Sequence, residues 1–223
     1  MFKKNWFKQA AGSLLIIYFV STLPLTIAFI FSKQIRFIYF DVLAGQLARK
    51  KALKYVFIGN SMTRGGENWG WELERNPLIS KNLAVNGNTT KQISVQVKEA
   101  LIYDPNYVFI LAGTNDAHSS NISVKQTIDD YQRLLAKFSA HDSVPVITLV
   151  PFQGKQYSEA NLKVKKINQE LVKIALKQKI ATINLNPILA FNNYLLPQYT
   201  YDGVHFTENA YRIWRDKINN FLP

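Results

Sequence analysis

The sequence contains no cysteine. This absence excludes disulfide bonds, thiolate metal sites and a lipid anchor on an N-terminal cysteine. Histidine is also scarce, with three residues in 223, so we expect no multi-histidine metal site and no metal or other cofactor. Charged residues are only 19% of the chain, while hydrophobic residues are 48%. That balance is typical of a globular chain and argues against disorder. The length suits one buried domain with an appendage.

The net charge of +12 is distributed unevenly. Residues 1–53 hold eight Lys or Arg and a single acid, Asp41, whereas 54–223 hold nineteen basic and fourteen acidic residues. Most of the excess therefore lies beside the hydrophobic N-terminal run. A basic flank at such a run indicates contact with anionic lipid, so we expect no nucleic-acid partner.

Residues 11–31 (AGSLLIIYFVSTLPLTIAFIF) carry no charge. A helix of this length spans about 30 Å, the hydrocarbon thickness of a bilayer. A cleaved signal peptide is the alternative, since Lys3, Lys4 and Lys8 precede the run. However, the run is longer than a signal-peptide core and no small-x-small cleavage site follows it. We favour a retained transmembrane anchor.

The expected organisation is a basic tail at 1–10, the anchor at 11–31, a juxtamembrane segment at 32–53 and a catalytic domain at 54–223. The juxtamembrane segment fits either an interfacial helix or a linker that packs on the domain. A strict charge count would keep the domain in the cytoplasm, but large domains translocate largely regardless of charge. Orientation stays open, and we favour a single-pass protein with an extracytoplasmic domain.

Within 54–223, short apolar runs alternate with helical periodicity. The expected strands are 55–59, 83–85, 107–112, 144–150 and 180–185, and the expected helices are 90–102, 124–139, 158–178 and 207–222. Most of these strands are nearly continuous in apolar residues, as strands covered on both faces should be. The alternation predicts an α/β fold with a parallel sheet between two layers of helices.

Polar segments gather where functional sites of such sheets form, at the carboxyl ends of the strands. They are 59–63 (GNSMT), 86–90 (NGNTT), 113–116 (GTND) and, before the last helix, 202–206 (DGVHF). Ser61 follows a strand directly, which exposes its hydroxyl, although a serine in such a turn is more often a helix cap. Asp202 lies three residues before His205, so its carboxylate can reach Nδ1 and leave Nε2 for the serine. The Gly-x-Ser-x-Gly elbow is absent, because residue 63 is Thr.

Acyl transfer also needs donors for the developing oxyanion. Gly87 can present a backbone N–H at a tight turn where a side chain would block close approach. The side-chain amide of Asn115 ends a buried strand, although an Asx-turn would explain it equally well. The backbone N–H of Ser61 is a third candidate donor.

Four motifs resemble the sequence blocks of the SGNH (GDSL-type) esterase and lipase family, in the family's order and over essentially all of 54–223. They are Gly-Asn-Ser-Met at 59–62, Asn-x-x-x-x-Gly-Asn-Thr-Thr at 82–90, Gly-Thr-Asn-Asp at 113–116 and Asp-Gly-Val-His at 202–205. The resemblance implies a flavodoxin-like three-layer α/β/α fold. It also implies that Ser61 is the nucleophile, that Asp202 and His205 complete a triad, and that Gly87 and Asn115 form the oxyanion hole.

The chain departs from the family's pattern at a few positions. Asn60 replaces the usual Asp before the serine, which removes a charge but keeps a hydrogen-bonding group. Asn60, Trp69, Trp71 and His118 are candidate substrate-pocket residues. Packing explains the two tryptophans equally well, and a solvated loop explains His118.

The residues favour hydrolysis of a carboxylic ester, such as an acyl ester, a lysophospholipid or an O-acetyl group, through an acyl-enzyme on Ser61. The expected partners are a small-molecule, lipid or glycan ester and membrane lipid. One alternative is an O-acyltransferase or deacetylase acting on a cell-envelope glycan. Another is a non-catalytic anchored binding module, which is disfavoured because every expected catalytic group is present.

Overall fold

The computed structural model describes residues 32–48 and 53–222. The chain divides into a unit of residues 1–39 and a unit of residues 40–223. Helix α1 (Lys33–Ala48) occupies the segment expected to follow the anchor. Within it Ile38 and Val42 are exposed, whereas Ala44 is fully buried in the core of the second unit.

The sheet has five parallel strands in the order β2-β1-β3-β4-β5. The strands are β1 (Tyr55–Gly59), β2 (Ser80–Asn82), β3 (Tyr107–Leu111), β4 (Val144–Thr148) and β5 (Ala181–Ile183). β1 is buried along its whole length and pairs with β3 in register, Tyr55 opposite Tyr107 and Gly59 opposite Leu111. The α/β fold with a parallel sheet is confirmed.

Helices cover both faces of the sheet. In chain order they are α2 (Ser61–Arg64), α3 (Trp69–Glu72), α4 (Thr90–Ile102), α5 (Thr114–His118), α6 (Val124–Ala136), α7 (Ser158–Gln178), α8 (Asn186–Leu189) and α9 (Glu208–Phe221). Because strand side chains alternate between faces, Val56 and Ile58 join one core with α4, α6 and α7. Phe57 joins the other core, where Trp214 of α9 is buried. The two cores define the three layers.

The second strand differs from the expectation at 83–85. The strand pairing with β1 is Ser80–Asn82, and its Ser80 and Asn82 side chains bond to backbone groups of earlier segments. The Ser80 hydroxyl accepts the Gly70 N–H at 2.7 Å, and the Asn82 amide donates to the Thr63 carbonyl at 3.0 Å. An edge strand with such partners needs no apolar pattern. The apolar residues 83–85 follow it directly, and the N–H groups of Leu83 and Val85 continue the pairing by donating to the Phe57 and Gly59 carbonyls.

A small antiparallel hairpin between β5 and α9 was not expected. Its strands are β6 (Ala190–Phe191) and β7 (Tyr194–Leu195). Asn192 and Asn193 form its turn with φ of 49° and 65°, the left-handed conformation that two-residue hairpin turns require and that Asn tolerates.

No helix within residues 32–48 or 53–222 is long and apolar enough to cross a bilayer. The anchor expected at 11–31, its basic tail at 1–10 and residues 49–52 lie outside the described residues.

Candidate active site

The turn after β1 places Ser61 at the carboxyl edge of the sheet. Asn60 caps the short helix α2, because its side-chain oxygen accepts the Met62 N–H at 3.0 Å. Asn60 is fully buried, so the structure places it beneath the serine as a cap rather than on a pocket wall. Ser61, the first residue of α2, is half-buried. The N–H groups in the first turn of a helix lack partners within it, which leaves the Ser61 N–H suited to an incoming anion.

Asp202 and His205 lie on one turn before α9. One Asp202 oxygen, Oδ1, accepts the backbone N–H groups of Val204 at 2.9 Å and His205 at 2.7 Å. The other, Oδ2, lies 2.6 Å from Nδ1 of His205. Because a carboxylate only accepts, Nδ1 carries the proton and Nε2 is the acceptor. Nε2 lies 3.0 Å from the Ser61 hydroxyl, so the three side chains form one hydrogen-bonded chain.

The charge of Asp202 is set by these contacts. Partial burial alone would raise the pKa of its carboxyl, but the hydrogen bonds from the His205 ring and from the two backbone N–H groups outweigh it and lower the pKa to about 2. Asp202 is therefore ionised at neutral pH, which fixes the imidazole tautomer and stabilises an imidazolium when one forms.

Gly87 lies in the turn before α4, and Asn115 is the second residue of α5, at the same edge of the sheet. The Val85 N–H donates to the Gly59 carbonyl at 3.1 Å, which holds the Gly87 turn beside the end of β1. Gly87 has φ of 78°, and a Cβ added there would meet nothing within 4 Å. The amide of Asn115 donates one hydrogen to the Asn88 carbonyl at 2.9 Å. A primary amide carries two hydrogens, so a second one is available to an oxyanion.

The structure does not place Trp69 on a pocket wall. It is 1% exposed, stacks on Phe57 with ring centroids 4.7 Å apart, and donates from Nε1 to the Thr63 carbonyl at 3.1 Å. The expectation of a pocket role for Trp69 is corrected to core packing, because a buried indole needs both apolar neighbours and an acceptor.

Trp71 and His118 remain accessible. Trp71 is half-exposed and stacks on Phe40 of α1, with ring centroids 5.9 Å apart. His118 ends α5, three residues after Asn115, and packs edge-on against Tyr157 at 4.9 Å. It borders a polar cavity of about 480 Å³ near the start of α7. Neither contacts Ser61 or His205 among the described hydrogen bonds.

Three supporting residues were missed by sequence reasoning. Gln96, buried on α4, accepts the Gly59 N–H at 2.9 Å and donates to the Gly59 carbonyl at 3.1 Å, so it clamps the end of β1. Gln156 donates to the Asp202 carbonyl at 3.0 Å. The Tyr211 hydroxyl donates to the Met62 carbonyl at 2.8 Å. Of these three residues, only Gln96 carried a signal in the sequence, because a glutamine on the apolar face of α4 needs a hydrogen-bond partner.

A serine, a histidine and a carboxylate hydrogen-bonded in this order at the rim of a parallel α/β sheet have the arrangement of a serine hydrolase. The comparison with known families agrees. The chain belongs to the GDSL-like lipase/acylhydrolase family, whose model matches residues 57–213. The SGNH resemblance seen in the sequence blocks is thereby confirmed.

Solved structures share the fold. A GDSL-like lipase from Bacteroides thetaiotaomicron is 25% identical, with a TM-score of 0.69 over 83% of this chain and 97% of that one. A lipase/acylhydrolase from Enterococcus faecalis is 18% identical, with a TM-score of 0.65 over 76% and 95%. A catalytic mutant of an acetylxylan esterase from Geobacillus stearothermophilus is 16% identical, with a TM-score of 0.63 over 75% and 93%. Below 25% identity the likeness concerns the fold alone.

One curated relative is an N-acylneuraminate cytidylyltransferase from Streptococcus agalactiae. It is 24% identical over 114 residues, which are 51% of this chain and 27% of the relative. The chain thus spans about a quarter of the length of this relative.

Proposed function

We propose that the protein hydrolyses a carboxylic ester through an acyl-enzyme on Ser61, with His205 as general base and Asp202 as the group that orients it. The observation that carries the proposal is the unbroken chain from the Ser61 hydroxyl to Nε2 of His205, at 3.0 Å, and from Nδ1 to Asp202, at 2.6 Å. It leaves each group in the protonation state that the first step requires.

In the first half of the reaction, the Ser61 oxygen attacks the ester carbonyl while Nε2 of His205 takes its proton. The negative charge that develops on the carbonyl oxygen is received by the N–H groups of Ser61 and Gly87 and by the free amide hydrogen of Asn115. Each such donor is worth about a hundred- to thousandfold in rate. The tetrahedral intermediate collapses, the ester C–O bond breaks, and the leaving alcohol takes the proton from His205.

In the second half, His205 removes a proton from water, which attacks the acyl carbon and releases the acid from Ser61. The side chains of His205 and Asp202 are about half-exposed, at 49% and 51%. Water therefore has ready access to the acyl-enzyme, and this favours hydrolysis over transfer of the acyl group to a second alcohol.

The test is turnover of p-nitrophenyl acetate, butyrate and octanoate by the full chain and by Ser61→Ala. Ser120→Ala, which changes an exposed loop serine, is the matched control. We expect Ser61→Ala to lose at least about a thousandfold in kcat and Ser120→Ala to match the wild type. A fluorophosphonate should label Ser61 in the wild type.

Equal turnover by wild type and Ser61→Ala, or labelling at another serine, would overturn the nucleophile assignment. Absence of turnover of all three esters, with Ser61 still labelled, would shift the proposal to a transferase.

We also propose that residues 11–31 anchor the domain in a membrane, with the domain on the extracytoplasmic side. The support is the run of 21 uncharged residues flanked by lysines. The expected result is recovery of the full chain in the membrane fraction after a high-salt wash. The domain, whether periplasmic or at the cell surface, should be digested by protease added to cells from which any outer membrane has been removed. Release by salt, or protection from the protease, would contradict the anchor or its orientation respectively.

A further inference from the structure

A groove of about 650 Å³ lies beside the turn that carries Asp202 and His205. We call it the hairpin groove. Its walls come from the hairpin β6–β7, from residues 154–156 and from residues 200–203. Asp202 and Gly203 therefore belong both to the groove and to the triad turn.

Backbone hydrogen bonds hold the three walls in fixed positions. The Leu195 N–H donates to the Gln153 carbonyl at 3.0 Å, and the Gly154 N–H donates to the Gly203 carbonyl at 2.7 Å. Gln156 adds its side-chain bond to the Asp202 carbonyl. A groove built in this way is formed before any ligand arrives, which lowers the entropic cost of binding.

The lining combines exposed aromatic rings with amides. Phe191, beside the hairpin turn, is 68% exposed, and Tyr201 is 76% exposed. Rings exposed in this way leave a large apolar surface in contact with water, and two of them on one groove mark a binding surface. The same groove is lined by Gln156 and Asn192, whose amides can donate and accept hydrogen bonds.

This chemistry fits a sugar better than an acyl chain. The C–H face of a pyranose ring packs flat on an aromatic face, and its hydroxyls pair with amides at the edge. An acyl chain gains affinity only when apolar surface encloses it. Here the two rings are largely exposed, and the amide residues Gln156 and Asn192 line the same groove.

The position of the groove relates it to the reaction. Asp202 lines the groove, and its carboxylate is joined to the Ser61 hydroxyl through the imidazole of His205 alone. The groove turn and the reacting serine are thus separated by one side chain.

We propose that the hairpin groove binds a sugar unit of an O-acylated oligosaccharide, so that the substrate is a glycan ester and the leaving alcohol a sugar hydroxyl. The inference rests on the proposed esterase function. The Ser61 oxygen–acyl bond forms as the acyl–sugar oxygen bond breaks, and the serine proton passes through Nε2 of His205 to the sugar oxygen. Water then takes the acyl group and restores Ser61.

The kinetic test compares partly O-acetylated xylotetraose and chitotetraose with p-nitrophenyl acetate, using the full chain and its Phe191→Ala and Tyr201→Ala variants. The readout is the ratio of kcat/KM for each oligosaccharide ester to that for p-nitrophenyl acetate. We expect each variant to lower this ratio about fivefold to tenfold for at least one oligosaccharide, through KM. Leu176→Ala, which removes an exposed apolar side chain on α7, should leave the ratio unchanged.

A ratio unaltered for both oligosaccharides would overturn the inference, and so would a ratio equally altered by Leu176→Ala. A selective loss with p-nitrophenyl octanoate would assign the groove to an acyl chain and overturn it as well.

The binding test separates the groove from catalysis. Ser61→Ala, which cannot turn over, is titrated with the same two oligosaccharides by calorimetry, alone and combined with Phe191→Ala. If Ser61→Ala binds an oligosaccharide and Phe191→Ala weakens that binding, the groove proposal is supported. This holds even if the wild type hydrolyses no ester, in which case only the esterase proposal fails. If the wild type hydrolyses p-nitrophenyl acetate but Ser61→Ala binds neither oligosaccharide, the esterase proposal stands and the groove proposal is refuted.

Discussion

The Asp116 carboxylate accepts the backbone N–H of Thr90, at the start of α4, at 2.9 Å. Its neighbour Asn115 donates to the Asn88 carbonyl at the same distance. Two consecutive residues after β3 thus bind the turn that holds Gly87. Because Asp116 is 1% exposed, solvent does not compete for this contact, and the two turns with the expected oxyanion donors are fixed to each other.

Replacing Asp116 should therefore lower catalysis by displacing the turn that carries Gly87. We expect Asp116→Ala to lower kcat for p-nitrophenyl acetate by about ten- to a hundredfold, since a small misplacement of catalytic donors has effects of that size. Asp116→Asn keeps an oxygen that accepts the Thr90 N–H and should retain most of the activity. Equal losses in both variants would show that the charge, rather than the contact with Thr90, matters.

The same residue should give a pH-dependent stability. Burial raises the pKa of Asp116, and Asp130 nearby adds to the rise, against the lowering by Thr90. The folded state thus holds the proton more tightly than the unfolded chain, whose aspartates titrate near about 3.9. The free energy of unfolding should fall as pH rises from about 4 through the raised pKa.

Urea denaturation of wild type and Asp116→Asn at several pH values between 4 and 7 measures this effect. The difference in unfolding free energy should move in favour of the variant as pH rises, because Asn has no charge to bury. Parallel pH profiles would contradict the predicted shift.

Asp202→Asn should reduce kcat strongly while leaving the fold intact. The amide cannot hold Nδ1 of His205 as a donor in the same way, so the tautomer with a proton on Nε2 becomes favoured and the serine loses its base. A loss of roughly a thousand- to ten-thousandfold is the expectation from such substitutions in other triads.

Asp129→Asn is the control for that variant. Asp129 forms an exposed ion pair with Lys125 on α6, far in sequence from the triad turn, and its loss should leave kcat unchanged. A variant at Asp202 as active as this control would remove Asp202 from the site.

Trp69→Ala and Trp71→Ala separate core from surface. Trp69 packs in the second core against Phe57 and, edge-on, Trp214 at 4.8 Å, so its truncation should cost about 3–5 kcal/mol of stability. Trp71 is half-exposed, so its truncation should lower the free energy of unfolding by a smaller amount. Denaturation curves of both variants provide the measurement, and equal losses would contradict the assignment of Trp69 to the core.

The sheet and the placement of Ser61, Asn115 and His205 at one edge followed from sequence because strong local signals coincide there. The runs around Phe57 and Phe109 are apolar throughout, as buried parallel strands must be. Each ends in Gly or Asn, where the chain turns into a helix. The spacing of Asp202 and His205 limits their geometry by itself.

Other features depend on partners that no local pattern reveals. The polar strand Ser80–Asn82 is stabilised by Gly70, Thr63 and other backbone groups outside its own segment. The hairpin around Asn192 is too short to show periodicity. Long-range contacts, such as that of Gln96 with Gly59, 37 positions apart, become visible only once the sheet is assembled.

The hydrogen bond between Ser61 and His205 joins positions 144 residues apart. Synthesis adds about 5–20 residues per second from the N-terminus. The serine of each new molecule therefore exists for roughly 7 to 30 s before the ribosome has added the histidine. Helix α9, whose Tyr211 binds the Met62 carbonyl, follows later still. Any chemistry that depends on this bond is withheld from the nascent chain until His205 and the helix that follows it have been made.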